Sequence, residues 1–257
     1  MKKRVALVSG GSGGIGRQIA KTLAKEGITV VLFARHKDKL EKAVFEIVEQ
    51  GGSAEYIIGD VCSIESIKKA ISIISQKYNC LDILVNCAGA GPVGGLQKIT
   101  DSEWVDNINV KQLGCIRMTR EVLPLMIETN AGCIINIVGV FGKQPSKDFI
   151  IGSVTNAALM AFTKAAADEL AQYNIRVNAI NPGATNTELW RNTLAELGRE
   201  MKNSPEIINQ TIANLSPMGR IAEPSDIADV ASFLISEKAR FITGISINVD
   251  GGAYSGI

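Results

Sequence analysis

The chain has 257 residues, 46% of them hydrophobic, 21% charged and 5% aromatic, an ordinary globular composition at a length that alternating α/β folds reach as one domain. Its 27 basic and 26 acidic side chains leave a net charge of +1, which argues against nucleic acid or a membrane surface as partner but leaves room for a small anionic ligand. Five cysteines at 62, 80, 87, 115 and 133, with no C-x-x-C pair, suggest neither a disulfide framework nor a zinc site, and no metal is expected. The basic start Met1-Lys2-Lys3-Arg4 is followed by an apolar run that stops at Ser9-Gly10, too short for a signal peptide. No segment is expected to be a membrane span, and a cytoplasmic location follows by default.

In chain order, short β-branched runs alternate with helical patterns. Strands are expected at 5–8, 30–34, 54–59, 83–86, 134–138, 176–180 and 246–249, mostly as near-continuous apolar runs of the kind buried on both faces. Helices are expected at 14–25, 37–50, 64–77, 102–128, 155–172 and 225–236. Thr100 and Glu103 read as a capping box for the long fourth helix, and Pro224 suits the first position of the last one. Strict alternation means a parallel sheet with right-handed crossovers. An eight-fold barrel is the rival, but a glycine-rich turn after the first strand favours an open sheet. The expectation is therefore an α/β, Rossmann-type doubly wound parallel sheet of about seven strands with helices on both faces. Residues 1–257 form one domain, with an irregular stretch at 184–217 expected to be a lid over the site.

That glycine-rich turn runs Ser9-Gly10-Gly11-Ser12-Gly13-Gly14-Ile15-Gly16 and opens directly into a helix. Glycines there let the backbone turn tightly and approach a pyrophosphate, whose charge faces the helix N-terminus. The G-x-x-x-G-x-G spacing resembles the short-chain dehydrogenase/reductase family. The resemblance extends along the chain through Asp60-Val61, Asn86-Cys87-Ala88-Gly89, Asn109, Asn178-Ala179-Ile180-Asn181-Pro182-Gly183, Pro217-Met218-Gly219-Arg220 and Val249-Asp250-Gly251-Gly252. It implies a nicotinamide dinucleotide held by Gly10, Ser12, Gly14, Ile15 and Gly16, with Asp60 and Val61 near the adenine. Asn86, Ala88 and Gly89 follow on the fourth strand, and Asn156, Pro182, Gly183 and Thr185 lie around the nicotinamide end. It also implies a homodimer or homotetramer, to which Trp104, Ile108 and Cys115 could contribute if they are not core.

The end of the second strand selects the dinucleotide: an acid there accepts from a ribose 2′-hydroxyl, whereas a base accommodates a 2′-phosphate. Here the chain reads Phe33-Ala34-Arg35-His36-Lys37, with no carboxylate before Asp38. Arg35, helped by His36 or Lys37, favours NADP(H) over NAD(H). His36 is the only histidine, so no histidine-based triad or metal cluster is available.

The family's proton-transfer residues are a tyrosine, a lysine four residues later and a serine about thirteen before. The tyrosines at 56, 78, 173 and 254 have no lysine four residues on. Alignment through Ala161-Phe162-Thr163-Lys164 puts Gly152 at the tyrosine, Asn156 at the lysine and Gly139 at the serine, with Asn109 expected to be retained as the family's asparagine. Lys164 lies twelve residues, roughly 18 Å of helix, beyond Gly152. Ser153, one position off, is a weak substitute whose hydroxyl is better suited to capping a helix. Three functional readings follow. The first is an NADP(H)-dependent oxidoreductase with a non-standard proton donor, acting on a small molecule. The others are a catalytically silent dinucleotide-binding sensor or partner subunit, and a non-redox lyase or cyclase on the same scaffold.

Overall fold

A computed structural model describes residues 3–89 and 91–256; Met1 and Lys2 of the basic start lie outside them. Seven parallel strands form one sheet in the order β3-β2-β1-β4-β5-β6-β7. They are β1 Val5–Ser9, β2 Thr29–Ala34, β3 Ser53–Ile58, β4 Ile83–Asn86, β5 Gly132–Ile137, β6 Ile175–Pro182 and β7 Ser246–Val249. The strand order reverses between β1 and β4. Connections leave that point in opposite directions, so a crevice opens at the strands' carboxyl ends.

Alternation along each strand divides the core between two faces. Ala6 and Val8 point to the face covered by α1 (Gly14–Lys25), α2 (Lys37–Glu49) and α9 (Pro224–Ile235), where Leu23, Leu40 and Leu234 are fully buried. Val5 and Leu7 point the other way, onto Ile67 of α3 (Ile64–Tyr78), Val122 of α5 (Gly114–Thr129) and Leu170 of α6 (Ile150–Leu170). Both faces are covered, so β1, β2 and β4 read as uninterrupted apolar runs.

A buried polar ladder fixes the carboxyl ends of β4 and β5. Asn86 Nδ2 donates to Asn136 Oδ1 at 2.9 Å and to Thr119 Oγ1 at 3.2 Å. Asn136 Nδ2 donates to Thr163 Oγ1 of α6 at 2.9 Å, and Cys115 Sγ donates to Asn136 Oδ1 at 3.3 Å. Cys62, Cys87, Cys115 and Cys133 carry free thiols, and Cys80, Cys115 and Cys133 are buried.

Four expectations change. The long fourth helix is not continuous: α4 (Asp101–Asn107) passes into a π-helical turn at Ile108–Leu113 before α5 begins. Its start is as read, with Thr100 and Glu103 closing the capping box. The fifth helix begins at Ile150 rather than at 155, because Ile150, Ile151 and Gly152 already take helical geometry behind an uncapped N-terminus. The segment Ile150–Tyr173 is also long and apolar enough to cross a membrane. Its small residues raise hydropathy, while Leu159, Thr163, Ala167 and Leu170 are buried against the sheet. Within 184–217 lie two full helices, α7 (Glu188–Met201) and α8 (Pro205–Leu215), whose N-caps Thr187 and Ser204 accept from Trp190 N and Ile207 N.

Asn136 joins three elements, so its loss should be felt globally. Asn136→Ala leaves Asn86 Nδ2, Cys115 Sγ and Thr163 Oγ1 without their shared partner and is expected to cost about 2–4 kcal/mol in urea unfolding, from several unmade buried hydrogen bonds. A change under 0.5 kcal/mol would show that the ladder does not brace the sheet.

Candidate active site

The turn between β1 and α1 lies where β1 and β4 end side by side. Gly10 takes φ +69°, and a Cβ there would stand 2.7 Å from Cys87 O. A Cβ on Gly16 would stand 2.5 Å from Gly10 O. Only glycine fits either place. Gly13 caps α1 in extended conformation with no side-chain capping bond, so the first-turn N–H groups keep their capacity for an anion. Ile15 packs on the core face of α1.

This turn forms one wall of a groove of about 600 Å³, lined among others by Gly10, Ser12, Gly13, Arg35, His36, Asp60, Val61, Ala88 and Gly89. Arg35 and His36 are exposed at the groove's edge. Asp60 Oδ1 accepts from Cys62 N at 2.9 Å, and Asp60 N donates to Ser66 Oγ at 3.0 Å, so its carboxylate also braces its own turn. Across the crevice Gly183 N donates to Val249 O at 3.0 Å, and Thr185 Oγ1 to Gly183 O at 2.9 Å, just beyond Pro182. Thr187 reaches over Gly14, where an added Cβ would lie 3.3 Å from its methyl. Lys39 of α2 pairs with Glu188 of α7 at 3.2 Å. The 184–217 segment is thus tied to the groove's rim, while Leu194, Leu197 and Ile208 pack with Val93, Phe149 and Trp190.

Gly139, Gly152 and Asn156 do come together. Gly139 follows β5 at φ +135° and ψ 148°, and a Cβ on it would stand 2.7 Å from Asn156 Nδ2. Asn156 is 3% exposed, and its Oδ1 is buried with no partner among the described residues. Gly152 faces open space, with nothing within 4 Å of a Cβ. Gly91 lies beside it, its own Cβ position 3.4 Å from Gly152 N.

Ser153 is not part of this group. Its Oγ accepts from Ser146 N at 3.0 Å and donates to Phe149 O at 3.0 Å, which commits the hydroxyl to holding the start of α6. Asn109 is the second correction, because its Oδ1 accepts from Arg117 Nη1 at 2.8 Å along its own helix. The side chain that enters the site from the π-helical turn is Lys111. Its Nζ donates to Val138 O at 2.9 Å, one residue from Gly139. Gly89 at φ +104° lies against it, a Cβ there standing 3.0 Å from Lys111 Cβ. Burial pushes the Lys111 amine down to about 8, since a charged ammonium is disfavoured away from water. Sequence reasoning passed over this lysine, because the stretch Ile108–Leu113 mixes Asn109, Lys111 and Gln112 with apolar residues and gives no sign of which side chain turns inward.

The family described as enoyl-(acyl carrier protein) reductase matches residues 10–254. A 2,3-dihydro-2,3-dihydroxybenzoate dehydrogenase of Bacillus subtilis (strain 168) is 34% identical over 257 residues, covering 99% of this chain and 97% of the relative. An actinorhodin polyketide ketoreductase solved with NADPH superposes with a TM-score of 0.96 at 32% identity, covering 99% of this chain and 98% of that one. An NAD+-bound xylitol dehydrogenase superposes at 0.92 with 29% identity, covering 97% and 98%. The chain belongs to the short-chain dehydrogenase/reductase family, and its relatives are oxidoreductases.

The two glycines should respond oppositely to a methyl group. Gly139→Ala meets both a glycine-only conformation and Asn156, and is expected to cost about 1–3 kcal/mol. Gly152→Ala should change stability by less than about 1 kcal/mol; equal losses in thermal melts would contradict this geometry. Lys111 sets a pH dependence. Its pKa falls from 10.5 unfolded to about 8 folded, so the unfolded chain holds the extra proton between those values and wild-type stability rises as pH climbs through that window. Lys111→Met lacks this contribution. Its advantage over wild type, on the order of 3 kcal/mol near pH 7, should shrink toward pH 10.5 in denaturant melts, and a flat difference would refute the depressed pKa.

Proposed function

We propose that this protein is an NADP(H)-binding oxidoreductase of short-chain dehydrogenase type acting on a small-molecule substrate, with a proton donor other than the Y-x-x-x-K pair, whose places Gly152 and Asn156 occupy. The observation that carries this reading is the cradle at Gly10 and Gly16, where a Cβ would collide with backbone. Such a close approach serves a backbone that must come up against a ligand, and the uncapped α1 N-terminus beside it suits a pyrophosphate. A groove of about 600 Å³ running from Gly10 to Arg35 has the size and polarity for a dinucleotide. The residues present therefore fit the group.

When bound, the nicotinamide would supply hydride chemistry. The chain's own residues do the rest. Gly10, Ser12, Gly14 and Gly16 hold the phosphates against the helix, and Arg35, with His36, meets a 2′-phosphate at the rim. Asp60 and Val61 border the adenine, while Asn86, Ala88, Gly89, Pro182, Gly183 and Thr185 shape the nicotinamide end. Asn156 offers its unpartnered Oδ1 to a hydroxyl, without the charge of a lysine. Open space above Gly152 admits a bulkier substrate than a tyrosine would. The 184–217 segment acts as a lid.

A homodimer or homotetramer goes with this reading, supported by exposed Val105, Leu113 and Val154 on α4 to α6 and by Phe241 and Ile245 before β7. Trp104 and Ile108 are half-buried and Cys115 is buried, so of the three only the first two are available to such a contact. A cytoplasmic setting is consistent with the free thiols of Cys62, Cys87, Cys115 and Cys133.

Direct titration tests the reading. NADPH should bind more tightly than NADH, and Arg35→Ala should weaken NADPH by about tenfold to a hundredfold while leaving NADH unchanged, the worth of one charge-assisted hydrogen bond. Tighter NADH binding would overturn the NADP(H) preference. Tight NADPH binding with no oxidation across aldehydes, ketones, enones and quinones would favour the silent sensor or partner subunit instead.

A further inference from the structure

Lys111 brings into the site a charge that its neighbours do not neutralise. Among the described residues, the titratable groups that face it are Cys87 at the end of β4 and Cys115 on α5. Burial pushes both thiols up to about 12, so both are neutral near pH 8. From β5 and α6 the nearby polar side chains are the neutral amides of Asn136 and Asn156. The Val138 carbonyl takes one of the three ammonium protons.

Beside the lysine lies a cavity of about 10 Å³, lined among others by Ser9, Asn86, Asn136 and Lys111. It is polar and large enough for about one water. Among the described residues Asn86 Oδ1 is buried without a partner, an acceptor for a proton that such a water would donate. Val61 and Ala88 line both this cavity and the larger groove, so the two spaces adjoin.

We propose that Lys111 is the acid–base residue of this cleft, passing a proton through the water of the small cavity to the substrate atom that gains negative charge in the adjoining groove. The step rests on the oxidoreductase reading. An Nζ–H bond breaks with its electron pair staying on nitrogen, and the proton joins the water oxygen. The water gives up one of its own protons as an O–H or C–H bond forms on the substrate. The neutral amine then recovers a proton from solvent. An amine that titrates near 8 is mostly charged at neutral pH yet gives up its proton readily, as a general acid should.

Proton release on dinucleotide binding tests this without turnover. The oxidised nicotinamide ring is cationic and the reduced ring is not, so a lysine that communicates with the cleft loses more of its proton to the first than to the second. Calorimetry at pH 8 in buffers of different ionisation enthalpy should show wild type releasing roughly 0.5 proton more per site with NADP+ than with NADPH. Lys111→Gln, which keeps a donor for Val138 O, and Lys111→Met should abolish that difference while both bind NADPH within about threefold of wild type. Equal release in wild type, or a difference that survives in Lys111→Gln, overturns the assignment and leaves the oxidoreductase reading standing. Absence of binding to either dinucleotide overturns that reading, and the assignment with it. For any carbonyl, enone or quinone probe that wild type reduces, kcat should fall about 10²- to 10⁴-fold in Lys111→Gln, with loss of the decline above about pH 8; an unchanged kcat and pH profile overturns the assignment.

Discussion

The geometry of the carboxyl edge depends on how closely the β1–α1 turn can approach the end of β4. Gly10 against Cys87 O, and Gly16 against Gly10 O, leave no room for a Cβ. That contact is possible because β1 and β4 are neighbours at the reversal of strand order, and it brings an uncapped helix N-terminus to the mouth of the crevice. Further along the same edge, Gly89 at φ +104° lets the chain leaving β4 lie flat on Lys111. The Asn86–Asn136–Thr163 ladder then holds β4, β5 and α6 in fixed relation. Groove, lysine and the Gly139 turn are consequences of one backbone approach, secured by one set of buried amides.

What was legible in the sequence follows from how these parts are built. Parallel strands covered on both faces leave apolar runs that need no context, and β4 has the bounds read from the residues alone. Thr100 and Glu103 were legible because capping is local chemistry. The π-helical turn was not. One residue more per turn rotates everything after it, which a 3.6-residue periodicity does not reveal. Ser153 illustrates the opposite difficulty: a hydroxyl near a helix start can face a cleft or serve the backbone. Its partners, Ser146 N and Phe149 O, are fixed only once the preceding loop has folded.

Gly139, Gly152 and Asn156 form one corner of the cleft with unequal room for side chains. Gly139 holds a conformation that side chains rarely adopt and packs directly on Asn156. Gly91 comes up beside Gly152. A side chain added at Gly139 therefore meets Asn156, whereas one added at Gly152 enters open space.

The same reasoning applies to charge. Burying an ammonium away from carboxylates costs several kcal/mol, and methionine would fill similar volume without that cost. The fold nevertheless holds Lys111 by a backbone carbonyl, beside a polar cavity containing an unpartnered amide oxygen. Within the cleft this lysine and Asn156 meet at the same turn, one on Val138 O and the other against Gly139. The amide on α6 is neutral, so the cation at this end of the sheet comes from the π-helical turn. A charge retained at such cost, in a place where packing alone would discard it, is accounted for by chemistry that needs a movable proton.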